Sequence, residues 1–154
     1  MHQKFVGKVK YTFQKPDGSF KKVSEEILLE AVSFTDAEAI ITAHYRGYKL
    51  LIVEAINKVQ FDDLFLTDPE NDDEEVEEIF VLAKIKANVL DLDSEKEKPV
   101  GKRFLIRTSN IELVNQILND RLNGEFSHGW QLLSLTKTPY VNFLPINSVS
   151  VFIN

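Results

Sequence analysis

The chain has 154 residues, a formal net charge of −6, 44% hydrophobic residues and 27% charged residues. This composition is typical of a globular protein, and the length suits one domain or two small repeats that share a core. The lack of cysteine excludes disulfides, thiolate metal ligands and cysteine nucleophiles. No apolar run approaches the ~20 residues of a membrane span, and the N-terminus lacks the apolar core of a signal peptide. We therefore expect a cytoplasmic protein with no membrane partner.

The first 61 residues predict a strand–strand–helix–strand unit. Residues 4–14 and 20–31 alternate between apolar and polar side chains, and the turn between them contains Pro16 and Gly18, which together predict a hairpin. Thr35 and Glu38 have the spacing of a capping box at the start of a helix. The apolar face of that helix is predicted to comprise Ala37, Ile40, Ile41, His44 and Tyr48. Residues 50–61 alternate again and predict the third strand.

A strongly acidic segment follows. Residues 68–78 hold eight acidic side chains and no basic one, so the rest of the chain carries a charge of +2. Like charges repel one another and keep a segment extended, which predicts a solvated linker over residues 67–78. The acidic isoelectric point therefore does not exclude an anionic partner for the rest of the chain.

The same order of elements then recurs in the second half. Residues 79–88 and 100–108 predict strands separated by a charged loop over 89–99, and Ser109 and Glu112 form a second capping box. A helix face of Ile111, Val114, Ile117, Leu118 and Leu122 comes next, followed by a strand over 130–138.

Matching residues relate the two halves. Lys8-Val9-Lys10 corresponds to Lys84-Ile85-Lys86, 76 positions on, and Ile56 and Lys58 correspond to Leu135 and Lys137, 79 positions on. Several such matches in the same order indicate an internal duplication. We therefore predict an α+β fold of two pseudo-symmetric ββαβ repeats, with mainly antiparallel sheets and one helix per repeat. The predicted divisions are residues 1–66 (first repeat), 67–78 (acidic linker), 79–145 (second repeat) and 146–154 (an extra C-terminal strand).

Three stretches carry a family resemblance. They are Lys8-Val9-Lys10-Tyr11, Ser33-Phe34-Thr35-Asp36-Ala37-Glu38-Ala39 and Thr138-Pro139-Tyr140-Val141-Asn142-Phe143-Leu144-Pro145. The chain resembles an uncharacterised domain-of-unknown-function family of small proteins from gut bacteria and their phages, over about residues 3–145. The resemblance implies a phage or mobile-element origin, and it supplies no catalytic residues.

The motifs of catalysis and cofactor binding are missing from the sequence. His2, His44 and His128 have no spacing that would place two metal ligands on one helix face, and His44 is expected to be a partly buried core residue. Glycine-rich phosphate loops and the Gly-x-Ser-x-Gly elbow do not occur. We therefore predict a non-enzymatic protein with no cofactor and no metal.

Basic side chains on the strands are the main functional signal. Lys8 and Lys10 fall on the face of their strand opposite Val9, and Lys84 and Lys86 fall on the equivalent face in the second half. Arg103 and Arg107 share one face of the adjacent strand. The predicted nucleic-acid site comprises Lys8, Lys10, Lys84, Lys86, Arg103 and Arg107.

Two interpretations of these basic residues stay open. Such a face can neutralise phosphates, which predicts sequence-tolerant binding of single-stranded DNA or RNA. One face of an antiparallel sheet is also ordinarily solvated and charged, and Glu25, Glu26 and Glu54 are available as cross-strand partners for the lysines.

The alternative function is protein–protein interaction or assembly. Residues 146–154 alternate and carry no charged side chain, so they are suited to add a strand to the sheet of a partner or of a second copy in a homodimer.

Overall fold

The computed structural model of the protein describes residues 2–66 and 78–146, which form a mixed α+β structure of eight strands in two sheets with two short helices. The elements are β1 (Gln3–Gln14), β2 (Phe20–Ala31), α1 (Phe34–His44), β3 (Lys49–Val59), β4 (Asp63–Leu66), β5 (Ile79–Asp91), β6 (Lys96–Thr108), a 3₁₀ turn (Ile111–Leu113), α2 (Val114–Leu122), β7 (Trp130–Lys137) and β8 (Tyr140–Leu144).

The first sheet has the strand order β3-β1-β2-β8. Strand β1 pairs antiparallel with both β2 and β3, whereas β8 pairs parallel with β2. The predicted hairpin is present, since the Lys15 N–H donates to the Ser19 carbonyl at 2.8 Å and the Gly18 N–H donates to the Lys15 carbonyl at 2.9 Å. Gly18 has φ +90°, a conformation that a residue without a Cβ adopts at no steric cost.

Helix α1 covers one face of the first sheet. The buried core on that side comprises Phe5, Val9, Tyr11, Ile27, Leu29, Ala31, Ala37, Ile40, Ile41 and Tyr45. The predicted cap was wrong, because the helix begins one residue before Thr35 and its N-cap is Ser33, whose hydroxyl accepts from the Asp36 N–H at 3.1 Å. The prediction for His44 was also wrong: His44 is exposed, and the next residue, Tyr45, is buried in its place.

The second sheet has the order β4-β6-β5-β7, with β5 antiparallel to β6 and β7, and β4 parallel to β6. The predicted loop over 89–99 is largely strand. Ladder pairing between β5 and β6 continues to Asp91 and Lys96, because Val89, Leu90 and the residues opposite them extend the two strands. The turn is therefore reduced to residues 92–95.

Helix α2 covers the second core, which comprises Phe65, Val81, Ala83, Ile85, Ala87, Phe104, Ile106, Val114, Leu118, Leu122 and Phe126. The predicted cap at Ser109 was wrong. Asn110 is the N-cap of the 3₁₀ turn that leads into the helix, and its side-chain oxygen accepts from the Glu112 N–H at 3.0 Å.

Two compact units make up the chain, namely Met1–Gln60 with Pro139–Asn154, and Phe61–Thr138. Residues 61–66, which the sequence division assigns to the first repeat, supply β4 to the second sheet. Residues 139–145, which it assigns to the second repeat, supply β8 to the first sheet. Neither strand was predicted. The strand expected over 146–154 lies, except for Ile146, outside the described residues.

A β-bulge falls at the same register in each sheet. Pairing of β1 with β3 shifts between Lys8 and Val9, which leaves Glu54 as the extra residue. Pairing of β5 with β7 shifts between Lys84 and Ile85, which leaves Leu133 as the extra residue. A bulge opposes two residues on one strand to one on its partner, so each extra side chain lies beside the lysines of the neighbouring strand.

Candidate nucleic-acid interface

The first lysine pair lies on the sheet face opposite helix α1. Lys8 and Lys10 alternate with the core residues Val9 and Tyr11, and their side chains are 52% and 54% exposed. A strand directs successive side chains to opposite faces, which is why both ammonium groups reach solvent.

A carboxylate partly neutralises this first pair. Glu54, the bulge residue of β3, lies 2.7 Å from the Lys10 Nζ and 4.0 Å from the Lys8 Nζ. Its hydrogen bond to Lys10 holds the pKa of the Glu54 carboxyl below its usual value. Of the three glutamates expected to pair with lysines, Glu54 does so.

Lys84, Lys86 and Arg103 come together on the second sheet. Both lysines are exposed on β5, and Lys84 is the direct cross-strand neighbour of Arg103 on β6. No carboxylate in residues 2–66 or 78–146 lies within 4.0 Å of either lysine ammonium. The bulge residue beside them is Leu133, which is 58% exposed.

Arg103 adds a planar cation to this group. Its guanidinium carbon lies 5.6 Å from the centre of the Phe61 ring, and its main-chain N–H donates to the Asp62 carboxylate at 2.7 Å. Asp62 also lies 3.8 Å from the Lys102 ammonium, so its charge is shared with that neighbour.

Arg107 is separate from the other basic residues. Its side chain is 23% exposed, and its Nε lies 2.8 Å from a carboxylate oxygen of Glu78. A guanidinium held in this way has less free surface to offer a phosphate. The structure therefore groups three predicted residues on the second sheet and two on the first, and it places Arg107 in an ion pair.

The sequence did not predict a polar cluster in the first unit. The Glu25 carboxylate accepts hydrogen bonds from the hydroxyls of Tyr11 (2.7 Å) and Tyr45 (2.9 Å) instead of pairing with a lysine. Burial, and then the hydrogen bond to Glu25, raise the pKa of both tyrosines above the usual value. Tyr45 and Tyr48 also line a groove of about 700 Å³ beside α1. The pairing of β1 with β2 brings Tyr11 close to Glu25, and the sequence periodicity does not reveal the register of that pairing.

The histidines do not come together. His44 contacts the edge of the Tyr45 ring, and the His128 Nδ1 lies 2.9 Å from a Glu97 carboxylate oxygen. Within the described ranges, no three His, Asp or Glu side chains form a cluster able to hold a metal ion. No helix in the same ranges has the length and apolar character needed to cross a membrane.

The fold and this surface define an α+β protein whose two sheets each carry exposed lysines on the face away from the helix. The chain belongs to the family described as a domain of unknown function, DUF4494, whose model matches residues 4–146. The sequence resemblance is thereby confirmed at the level of a domain-of-unknown-function family. Comparison with curated proteins gives no match.

Proposed function

We propose that this protein is a non-enzymatic module that binds single-stranded nucleic acid with little sequence preference. The observation that carries the proposal is the pair of exposed lysines placed at the same bulge register on each sheet. Lysines that follow one strand face can neutralise consecutive phosphates, and phosphate contacts carry no sequence information.

Within this proposal, the second sheet makes the main contact. Lys84, Lys86 and Arg103 lie together, with Leu133 at the bulge. Lys8 and Lys10 already have Glu54 as a partner, so a phosphate must compete with that carboxylate for them. Arg107 contributes least, since Glu78 holds its guanidinium.

We also propose that residues 1–66 and 79–145 contain diverged copies of one ββαβ repeat. In the first sheet β1 lies between β2 and β3, and in the second sheet β5 lies between β6 and β7. The bulges follow Lys8 and Lys84, 76 positions apart, and the N-caps Ser33 and Asn110 are 77 positions apart. A gut-bacterial or phage origin and a cytoplasmic location are parts of the same proposal.

Fluorescence anisotropy of a labelled oligothymidine, measured over a range of salt concentrations, tests the function. We expect log affinity to fall linearly with log salt for the parent chain. The variant Lys84→Glu with Lys86→Glu should bind more weakly, with a slope smaller by about 1.4, because single-stranded nucleic acid contributes ~0.7 per phosphate contact.

Lys96→Glu with Lys98→Glu is the matched control. It changes the net charge equally, but these residues pair with Asp91 and Val89, on the other face of the same sheet. It should leave the slope nearly unchanged. If the parent chain fails to bind the oligonucleotide at low salt, or if both double variants behave alike, the proposal is wrong.

The alternative, association through residues 146–154, remains a prediction because residues 147–154 lie outside the described part of the chain. Strand β8, which ends at Leu144, is an edge strand of the first sheet and leads into that segment. We expect light scattering to give a smaller particle mass for a chain that ends at Pro145 than for a full-length oligomer. The same number of chains per particle in both would count against the alternative.

A further inference from the structure

The face of the first sheet opposite α1 carries further lysines and an aromatic residue toward the β1–β2 turn. Strand register places Lys10 between Ile52 and Ser24, and the next row on that face places Thr12 between Lys49 and Lys22. Phe20 follows, opposite Gln14. Lysines and one phenylalanine therefore succeed one another along the face that begins with Lys8.

Phe20 is the most exposed aromatic residue in this part of the fold, with 61% of its surface accessible. Lys22 and Lys49 are exposed as well, and no carboxylate in residues 2–66 or 78–146 lies within 4.0 Å of either ammonium group. Single exposed apolar side chains are common on protein surfaces, so Phe20 indicates a partner only through its position next to these lysines.

The corresponding rows of the second sheet lack this combination. Lys86 lies between Gln131 and Gly101, Asn88 is opposite Pro99, and Leu90 is opposite Glu97. An aromatic ring flanked by lysines is therefore a property of the first sheet, and the shared strand order of the two sheets does not require it.

We propose that Phe20 is a base-stacking platform for single-stranded nucleic acid, with Lys22 and Lys49 holding the flanking phosphates. The inference rests on the proposed function and adds to it a site that the lysine pattern alone does not contain. Bases of any identity stack on an aromatic face, and adjacent cations follow the backbone, which is how sequence-tolerant single-strand binders achieve affinity.

An anionic membrane surface is the competing partner for lysines and exposed phenylalanine. Two features favour nucleic acid. Phe13, which is 44% exposed, pairs with Lys21 and lies on the opposite face from Phe20, so the hairpin presents no single apolar surface. The tip of the hairpin is polar and contains Asp17, whose carboxylate accepts from the Ser19 N–H and hydroxyl.

The test compares Phe20→Ala with Phe13→Ala, using the oligothymidine and an abasic oligonucleotide of the same length. Phe20→Ala should weaken oligothymidine binding about 5- to 100-fold, because the stacking of a base on the ring is lost. The salt slope should stay unchanged, because the variant keeps every phosphate contact. Phe13→Ala should bind like the parent, and neither variant should differ from it on the abasic strand. Phe20→Tyr should retain affinity, whereas Phe20→Leu, which keeps an apolar side chain, should not.

The outcomes separate the two proposals. Parent binding that is insensitive to Phe20→Ala overturns the stacking platform and leaves the proposed function standing. A parent chain that binds no oligonucleotide overturns both. Equal losses for Phe13→Ala and Phe20→Ala, together with binding to phosphatidylserine vesicles that both variants weaken, would assign the hairpin to a membrane surface instead.

Lys22→Ala with Lys49→Ala should reduce the salt slope by about 1.4.

Discussion

At the scale of single residues, one side chain in each bulge sets the charge available to the lysines beside it. Glu54 contacts both Lys8 and Lys10, whereas Leu133 occupies the corresponding place beside Lys84 and Lys86. A register shift falls at the equivalent position in both sheets, and the residue that it leaves over is acidic in the first sheet and apolar in the second. An exposed leucine cannot neutralise an ammonium group, and within residues 2–66 and 78–146 no carboxylate lies within 4.0 Å of the second lysine pair.

We expect that exchanging the two bulge residues reverses which lysine pair has a neighbouring carboxylate, and that oligonucleotide affinity changes accordingly. Glu54→Leu should strengthen oligonucleotide binding about two- to fivefold at low salt, in the range of an exposed ion pair, and should steepen the salt dependence. Leu133→Glu should weaken binding by a similar factor. Salt-dependent anisotropy measures both.

The control for this exchange is Leu92→Glu, which adds the same charge at an 85% exposed position in the β5–β6 turn. If Leu92→Glu weakens binding as much as Leu133→Glu does, net charge accounts for the effect and the bulge has no special role.

At the scale of elements, two overlapping signals compete for the start of α1. Ser33 and Asp36 have the spacing of a capping box, and so do Thr35 and Glu38. The chain uses the first, since the Ser33 hydroxyl accepts from the Asp36 N–H, and the Asp36 carboxylate accepts in return from the Val32 N–H at 3.0 Å. Strand β2 ends at Ala31, and the earlier cap lets the helix begin at Phe34 with a short connection.

Loss of this cap should destabilise the fold measurably. We expect Ser33→Ala to lower the free energy of unfolding by about 1 kcal/mol, the usual value for removal of an N-cap hydroxyl. Thr35→Ala, which changes an exposed residue inside the helix, should lie within about 0.5 kcal/mol of the parent. Denaturant titration followed by circular dichroism measures both, and a larger effect at Thr35 would contradict the assigned cap.

At the scale of the whole molecule, each sheet receives one edge strand from the other half of the chain. Strand β4, which follows β3, pairs with β6, and β8, which follows β7, pairs with β2. Phe65 on β4 is 3% exposed and Phe143 on β8 is 7% exposed, so both strands bury aromatic side chains where they pair. The second unit is the continuous segment Phe61–Thr138, whereas the first combines Met1–Gln60 with Pro139–Asn154.

The strand exchange predicts that the two halves remain associated after the backbone is cut between them. A protease site inserted after Asp72, once cleaved, should leave one particle of unchanged mass in size-exclusion chromatography with light scattering. Each buried phenylalanine contributes roughly 1.5–3 kcal/mol of transfer free energy, and two strand ladders add to it.

Two substitutions test the cause of that association. Phe65→Ala and Phe143→Ala together should make the cleaved protein separate on dilution while leaving the uncut chain as one particle. Separation of the cleaved parent chain into two species under native conditions would show that strands β4 and β8 do not hold the halves together.

Local periodicity carried much of the fold and part of the candidate site. The alternation in residues 20–31 predicted β2 with its observed bounds. The alternation in residues 4–14 and 79–88 placed Lys8, Lys10, Lys84 and Lys86 on exposed faces. It did not distinguish Glu54 from Glu25 as the lysine partner, because that choice depends on which strands are neighbours. The sequence could not show whether Phe20 is exposed or part of the core, because the exposure of a residue at the end of a strand depends on which other residues cover it.

The sequence by itself determined the composition of each half, the period-2 and period-3.6 patterns, and the spacing that relates the lysine pairs, because these are properties of neighbouring residues. Only the tertiary structure decided which half receives β4 and β8, which cap begins α1, and which lysines lie beside Glu54. A backbone edge offers the same N–H and C=O groups to any strand, so the choice among partners depends on side-chain burial between residues far apart in the chain.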